Sequence, residues 1–182
     1  MPDGYWWATT AILIPATLLA SWIDYSQRRV PNWLNAAIAA GGFVAQGAFF
    51  GWDGIVMATL GFLVGFGVLI VPWLMHGMGA GDVKLMAAIG AWLGPWLTLM
   101  GFCVGAMVGG IIAVIMIGSA GKTWMAYANL LTISHKMRSG RLMFSEFGSV
   151  KSFGDSTALL PYGVPLTIGS LIAWFGQGHG FW

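Results

Sequence analysis

Long apolar runs separated by short polar segments dominate the pattern along the chain. The runs 5–23, 33–50, 55–74, 96–118 and 158–178 contain no charged residue. A helix needs about 20 mostly apolar residues to cross the ~30 Å hydrocarbon core of a bilayer. The pattern therefore predicts an all-α integral membrane protein in which each of these runs is a transmembrane helix.

A shorter apolar run, 83–94, directly follows Asp82 and ends before Pro95. At about 1.5 Å per residue it reaches roughly half of the hydrocarbon core. To cross the membrane, its N-terminal end must begin below the membrane surface or in a thinned, water-accessible pocket. We therefore expect Asp82 at a depth where a carboxylate is costly and, by default, a candidate for function.

The basic residues predict the topology, because they follow the first, third and fifth runs. They are Arg28, Arg29, Lys84, Lys122, Lys136, Arg138, Arg141 and Lys151. If every run crosses and the N-terminus is outside, all of them face the cytoplasm, as the positive-inside rule favours.

We accordingly predict one membrane domain over 1–182, with six transmembrane helices and both termini in the periplasm of a bacterial inner membrane. The predicted spans are 5–23, 33–50, 55–74, 83–94, 96–118 and 158–178. The predicted cytoplasmic loops are 24–32, 75–82 and 119–157.

The composition removes several classes of protein. Hydrophobic residues make up 58% of the chain and charged residues 8%, whereas soluble domains have roughly a quarter of their residues charged. A soluble enzyme, a disordered linker and a nucleic-acid-binding protein are excluded on this basis. One cysteine and three scattered histidines offer no disulfide, CxxC pair or zinc-ligand spacing, so we predict no metal and no cofactor.

Two of the six acidic residues, Asp24 and Asp82, lie at predicted cytoplasmic helix ends. Each has a structural interpretation. Asp24 can pair with Arg28 four residues later on the same helix face, and Asp82 can cap the N-terminus of the fourth helix. Each also has a functional interpretation, and topology alone leaves both open.

The functional interpretation is hydrolysis by a carboxyl pair. Two aspartates in one pocket do not readily both ionise, so one keeps a proton while the other stays charged. The charged carboxylate can then take a proton from water while the protonated one polarises a scissile carbonyl. Gly79 and Gly81, just before Asp82, allow an extended segment to approach the acid closely.

Three segments add a more specific pattern: DYSQRRVPNWL at 24–34, GMGAGDVKLMAAIG at 77–90 and LPYGVP at 160–165. In this order they resemble the aspartate-to-IPN segment, the GxGD motif and the late PYG segment of type IV prepilin peptidases. The most similar members are the short CpaA/TadV type, which serves tight-adherence (Flp) pili. Val30 stands where the family often has isoleucine.

This resemblance implies an intramembrane aspartyl endopeptidase with Asp24 and Asp82 as its catalytic pair. It would remove the leader of prepilins and pseudopilins at the cytoplasmic face, after the glycine that precedes their hydrophobic N-terminal helix. The residues expected to shape the site are Gly79, Gly81, Lys84, Pro31, Asn32, Pro161, Tyr162 and Gly163.

The resemblance also implies what else the protein contacts. The expected partners are prepilin substrates, membrane lipid and the pilus assembly machinery, with no nucleic acid. Longer members of the family carry a four-cysteine zinc site and also methylate the new N-terminus. With one cysteine in the chain, we expect neither the zinc site nor methyltransferase activity.

Two other functions remain open from the sequence. In a small proton- or ion-coupled transporter the two aspartates would relay protons, although the chain shows no internal repeat and has only 182 residues. In an assembly scaffold both aspartates would only cap helices. The basic loop 119–157 either lies on anionic lipid or contacts the leader.

Overall fold

The structure is a computed structural model that describes residues 2–27, 30–74, 78–119, 162–178 and 180. Its helices are α1 (Asp3–Gln27), α2 (Asn32–Leu74), α3 (Ala80–Ser119) and α4 (Gly163–Gly178). No strand occurs in these residues. The prediction of an all-α protein is therefore confirmed for the part of the chain that the structure describes.

The chain forms two compact units, Met1–Gly109 with Pro161–Trp182 and Gly110–Leu160. In the second unit the described residues are 110–119, the C-terminal turns of α3. All of the candidate site residues belong to the first unit.

Glycine kinks divide α2 and α3 into two helical segments each. Gly51 (φ 62°, ψ −137°) interrupts α2, and Gly94 (φ 74°, ψ 175°) interrupts α3. Glycine adopts positive φ without the steric cost that a Cβ imposes. Gly51 lies between the predicted spans 33–50 and 55–74, and Gly94 stands directly before Pro95.

Three helices are long and apolar enough to cross a membrane: Asp3–Gln27, Asn32–Leu74 and Ala80–Met116. Large apolar side chains point outward from them, for example Trp22 on α1 and Val44 on α2. Lipid is the solvent that suits such a surface. The helices therefore indicate a multi-pass membrane protein.

The first segment of α3, 80–93, lies at the centre of the bundle, and every residue from 85 to 93 is buried. The main chains of α2 and α3 are in close contact in this segment. A Cβ at Gly61 of α2 would lie 2.0 Å from the Gly90 carbonyl oxygen of α3. Close approach through small residues is the usual way that helices associate in lipid. The same device joins α3 to α4, where a Cβ at Gly169 would lie 2.3 Å from the Gly101 carbonyl oxygen.

The C-terminal end of this central segment is closed by side chains from other helices. Pro95 has no N–H and interrupts the helical hydrogen-bond ladder. The carbonyl of Trp92 accepts hydrogen bonds from the Tyr5 hydroxyl and, at 3.0 Å, from Gln46 Nε2. Trp92 Nε1 donates to the Ile38 carbonyl at 2.7 Å. In lipid, a main-chain group freed by a kink needs such partners, because no water is present.

Candidate active site

Asp24 lies near the C-terminal end of α1 and is only 5% exposed. Its Oδ2 accepts a hydrogen bond of 3.0 Å from the N–H of Gly163, the first residue of α4. The first N–H groups of a helix have no partner within the helix, and a carboxylate suits the positive end of the helix dipole. A Cβ at Gly163 would lie 2.8 Å from this oxygen, so glycine is what lets Asp24 approach. Arg28, its alternative partner, lies outside the described residues.

A hydroxyl group one turn before Asp24 extends this contact. Ser21 Oγ lies 3.2 Å from the Gly163 carbonyl oxygen and 2.8 Å from Thr167 Oγ1 on α4. Ser21 and Thr167 are both buried. Polar side chains therefore fix the C-terminal end of α1 to the N-terminal end of α4 on the face that carries Asp24.

Asp82 is also buried, at 6% exposure, in the first turn of α3. Its Oδ2 accepts the N–H of Gly79 at 3.3 Å, and its own N–H donates to the Gly79 carbonyl at 3.2 Å. This is one half of a capping box, in which an acid at the third helical position reaches back to the N–H of the residue before the helix. Gly79 has no side chain, so its main-chain carbonyl accepts the Asp82 N–H instead. Gly79, rather than Asp82, thus occupies the N-cap position.

Only one oxygen of Asp82 takes part in this cap. The other, Oδ1, is buried and has no hydrogen-bond partner among the described residues. Buried polar atoms nearly always have a partner, so an exception calls for an explanation. Helix capping explains Oδ2 of Asp82 and leaves Oδ1 available for chemistry.

The two carboxyl groups lie near each other. They are close enough that the negative charge of Asp24 acts on Asp82, and the charge of Asp82 acts in turn on Tyr162. Tyr162 directly precedes Gly163, whose N–H binds Asp24. The structure therefore brings together two acids that are far apart in the sequence, with the segment 162–163 beside both.

The segment before α2 packs against the turn that precedes Asp82. A Cβ on Gly81 would lie 3.4 Å from the main-chain nitrogen of Val30. Val30 is buried, and the carbonyl of Pro31 then accepts the N–H groups of Leu34 and Asn35 to begin α2. The segment before α2 thus contacts the turn that precedes Asp82.

Two side-chain hydrogen bonds join the same two segments. Asn35 Nδ2 donates to the Gly81 carbonyl at 3.3 Å, and Lys84 Nζ donates to Asn32 Oδ1 at 2.9 Å. The Asn35 bond is part-buried, whereas the Lys84 bond is exposed. Of the residues expected to shape the site, Pro161 lies outside the described part of the chain.

Three polar residues at this site were not singled out from the sequence: Ser21, Asn35 and Thr167. Helix spacing could have found two of them, Ser21 and Asn35. Ser21 is three residues before Asp24, and Asn35 is three residues after Asn32, so each shares a helix face with a residue that was predicted. Within the described ranges, no group of three or more His, Cys, Asp or Glu side chains could hold a metal ion.

Comparison with known proteins gives consistent results. The family whose sequence model matches the chain is the type IV leader peptidase family, over residues 11–115. The chain is 35% identical over 120 residues to the prepilin leader peptidase/N-methyltransferase of Aeromonas hydrophila, with 57% of this chain and 40% of that protein covered.

Two further relatives carry the same name. The protein of Neisseria gonorrhoeae is 30% identical over 147 residues, covering 72% of this chain and 48% of its own length. The protein of Escherichia coli is 37% identical over 101 residues, covering 52% of this chain and 44% of its own length. Each match thus spans less than half of the relative. No solved structure matches the chain.

Proposed function

We propose that the chain, which belongs to the type IV leader peptidase family, is a membrane-embedded aspartyl endopeptidase that uses Asp24 and Asp82. The resemblance noted in the segments 24–34, 77–90 and 160–165 is confirmed at the level of the family. The family match gives no support to the transporter interpretation.

The observation that supports the proposal is the proximity of two buried carboxyl groups, each held through one oxygen by a main-chain N–H. Like charges at short range in an apolar site favour a state in which the pair holds one proton. The charged carboxylate takes a proton from water, and the resulting hydroxide adds to the scissile carbonyl carbon. The protonated carboxyl donates its hydrogen bond to the carbonyl oxygen as negative charge develops there.

The second half of the reaction returns the pair to its starting state. The tetrahedral intermediate collapses, the C–N bond breaks, and the leaving amine receives the proton that was taken from water. The reaction consumes water alone, and both acids are regenerated. The unpaired Oδ1 of Asp82 is the atom we assign to face the substrate or the water.

We assign the cleaved bond to the cytoplasmic side of a bacterial inner membrane. The C-terminal end of α1 and the N-terminal ends of α2, α3 and α4 all contribute to the site. These ends lie on one side if 5–23, 33–50, 55–74, 83–94, 96–118 and 158–178 each cross once. The basic loops 24–32, 75–82 and 119–157 then face the cytoplasm and both termini face the periplasm.

The substrate we propose is a prepilin or pseudopilin, as the names of the relatives suggest. Its apolar N-terminal helix docks among the spans, and the extended segment before that helix enters the site, where the bond after a glycine is cleaved. Pilus assembly machinery would receive the product. N-methylation, which the names of the relatives also include, forms no part of the proposal.

The test is cleavage of a purified prepilin by the purified full chain in detergent, followed by mass spectrometry. We expect the wild type to release the leader, and Asp24→Asn or Asp82→Asn to lower the rate at least about 1,000-fold. The matched control is Asp53→Asn, which makes the same change at an exposed acid on α2. Wild-type turnover in either Asp24→Asn or Asp82→Asn would falsify the assignment of the pair.

A further inference from the structure

Two buried amide side chains on α2 bind the two ends of the helical segment that carries Asp82. Asn35 Nδ2 donates to the Gly81 carbonyl at 3.3 Å, and Gln46 Nε2 donates to the Trp92 carbonyl at 3.0 Å. Asn35 is 4% exposed and Gln46 is 6% exposed. Both bonds hold the segment against α2, the Gln46 bond in buried surroundings and the Asn35 bond in part-buried ones.

The two bonds differ in what lies next to them. Gln46 binds near the Gly94 kink, at the end remote from the acids, and shares the Trp92 carbonyl with the Tyr5 hydroxyl. Asn35 binds the peptide group directly before Asp82. That peptide also packs against Val30, so Gly81 is held on one side by an amide and on another by main chain.

The position of Gly81 determines where the carboxyl group of Asp82 lies. The Asp82 side chain is fixed at two points, its own main chain and the bond from Gly79 N to Oδ2. A shift of the Gly81–Asp82 peptide would therefore carry Oδ1 with it. Oδ1 is the atom with no partner among the described residues, and small errors in the place of a reacting atom are costly to rate.

Asn35 is a poor choice for stability alone. Its Oδ1 is buried and has no hydrogen-bond partner within the described residues. An unpaired buried oxygen lowers stability, and an apolar side chain of similar size would remove that cost. The hydrogen bond from its N–H group to the Gly81 carbonyl therefore explains the amide better than packing does.

We propose that Asn35 is a positioning residue for Asp82, which acts by holding the Gly81 carbonyl against α2. The inference rests on the proposed peptidase function and deepens it by assigning the group that places one of the two acids. Asn35 does not touch the reacting atoms in this account. Its loss displaces Oδ1 of Asp82 relative to Asp24 and slows the chemical step, while binding of the substrate's apolar helix is unchanged.

The experiment compares matched substitutions at the two amides in the full chain, purified in detergent. Asn35→Leu and Gln46→Leu each replace an amide by a hydrocarbon of similar size, and Asn35→Ala and Gln46→Ala each remove the amide and add no charge. For each variant, kcat and KM for a purified prepilin are measured per monodisperse, folded molecule. Thermal unfolding is recorded in parallel.

We expect both Asn35 variants to lose about 100-fold in kcat, with KM close to that of the wild type. Both Gln46 variants unfold at a lower temperature but retain kcat, because the site end of the segment is still held. If Asn35→Leu does not fold, Asn35→Ala is measured in its place.

Three results would overturn the proposal. If the Asn35 and Gln46 variants lose kcat equally, Asn35 has no special relation to Asp82. If neither Asn35 variant folds while both Gln46 variants do, the role of Asn35 is structural. If the wild type itself does not cleave the prepilin, the proposed function fails and this inference fails with it. The first two results, by contrast, overturn only the role of Asn35 and leave the proposed function standing.

Discussion

The two ends of the helical segment 80–93 use polar groups in opposite ways. At the kink end, the Trp92 carbonyl receives two donors, from Tyr5 and Gln46, more than a helical carbonyl needs. At the site end, Asp82 and Asn35 each keep a buried oxygen without a partner in the described part of the chain. The first arrangement stabilises a helix that ends inside the bundle, whereas the second leaves acceptors free where we place the reaction.

This difference shows how a small membrane protein can remain folded around a site that lowers its stability. Unpaired buried acceptors each lower stability by about 1–3 kcal/mol. The segment that carries them is fixed by packing and hydrogen bonds along the rest of its length, including the glycine contacts with α2. Substitutions at the site end are therefore expected to change activity, and substitutions at the kink end to change stability.

The largest effect on activity is expected at Gly163, which contacts Asp24 at the site end of the bundle. In Gly163→Ala the new Cβ would lie 2.8 Å from Asp24 Oδ2, so the carboxylate must move. We expect prepilin cleavage to fall about 100-fold while the protein remains folded.

Gly67→Ala is the matched control for this substitution, because a Cβ there meets nothing within 4 Å. It should leave cleavage unchanged and stabilise the helix by up to about 1 kcal/mol. Equal cleavage rates for Gly163→Ala and the wild type would show that the Gly163 contact does not position Asp24.

A smaller effect, on stability alone, is expected at Tyr5. Tyr5→Phe removes one of the two donors to the Trp92 carbonyl and should lower the free energy of unfolding by about 1–2 kcal/mol. Thermal unfolding in detergent measures this, with Tyr25→Phe as the matched control at an exposed position on α1. A loss of kcat per folded molecule in Tyr5→Phe would contradict the separation of the two ends.

The smallest effect is expected at Lys84, whose hydrogen bond to Asn32 Oδ1 joins the same segments as the Asn35 bond but is exposed. Exposed polar pairs contribute little, so Lys84→Met should change the free energy of unfolding by less than about 1 kcal/mol. Cleavage should stay near the wild-type rate. A loss as large as that expected for Asn35→Leu would mean that Lys84 acts on the substrate directly.

Much of this comparison could be predicted from the sequence. An apolar run that reaches only about half of the hydrocarbon core, bounded by Asp82 and by Gly94-Pro95, indicated both an acid at depth and an early helix end. The resemblance of the motifs around Asp24 and Asp82 to one peptidase family implied a shared site. These features are local, and apolar periodicity and glycine chemistry are visible in a single sequence.

The partners of the buried polar groups could not be predicted in the same way. Asn35, Gln46 and Ser21 stand alone in apolar runs, where an amide or hydroxyl has many possible acceptors. Each binds a main-chain carbonyl that is at least 46 residues away in the sequence. Every residue type presents the same carbonyl, so the sequence offers no signal for which one is used. Only the packing of the helices determines that choice.

The central claim is that Asp24 and Asp82 act as one unit, and a double-mutant cycle tests it most directly. Prepilin cleavage is measured for the wild type, Asp24→Asn, Asp82→Asn and the double variant, at equal amounts of folded protein. Groups that act together are not additive, so we predict that the double variant is no slower than the slower single variant. Losses that multiply in the double variant would contradict the account, because each aspartate would then act independently of the other.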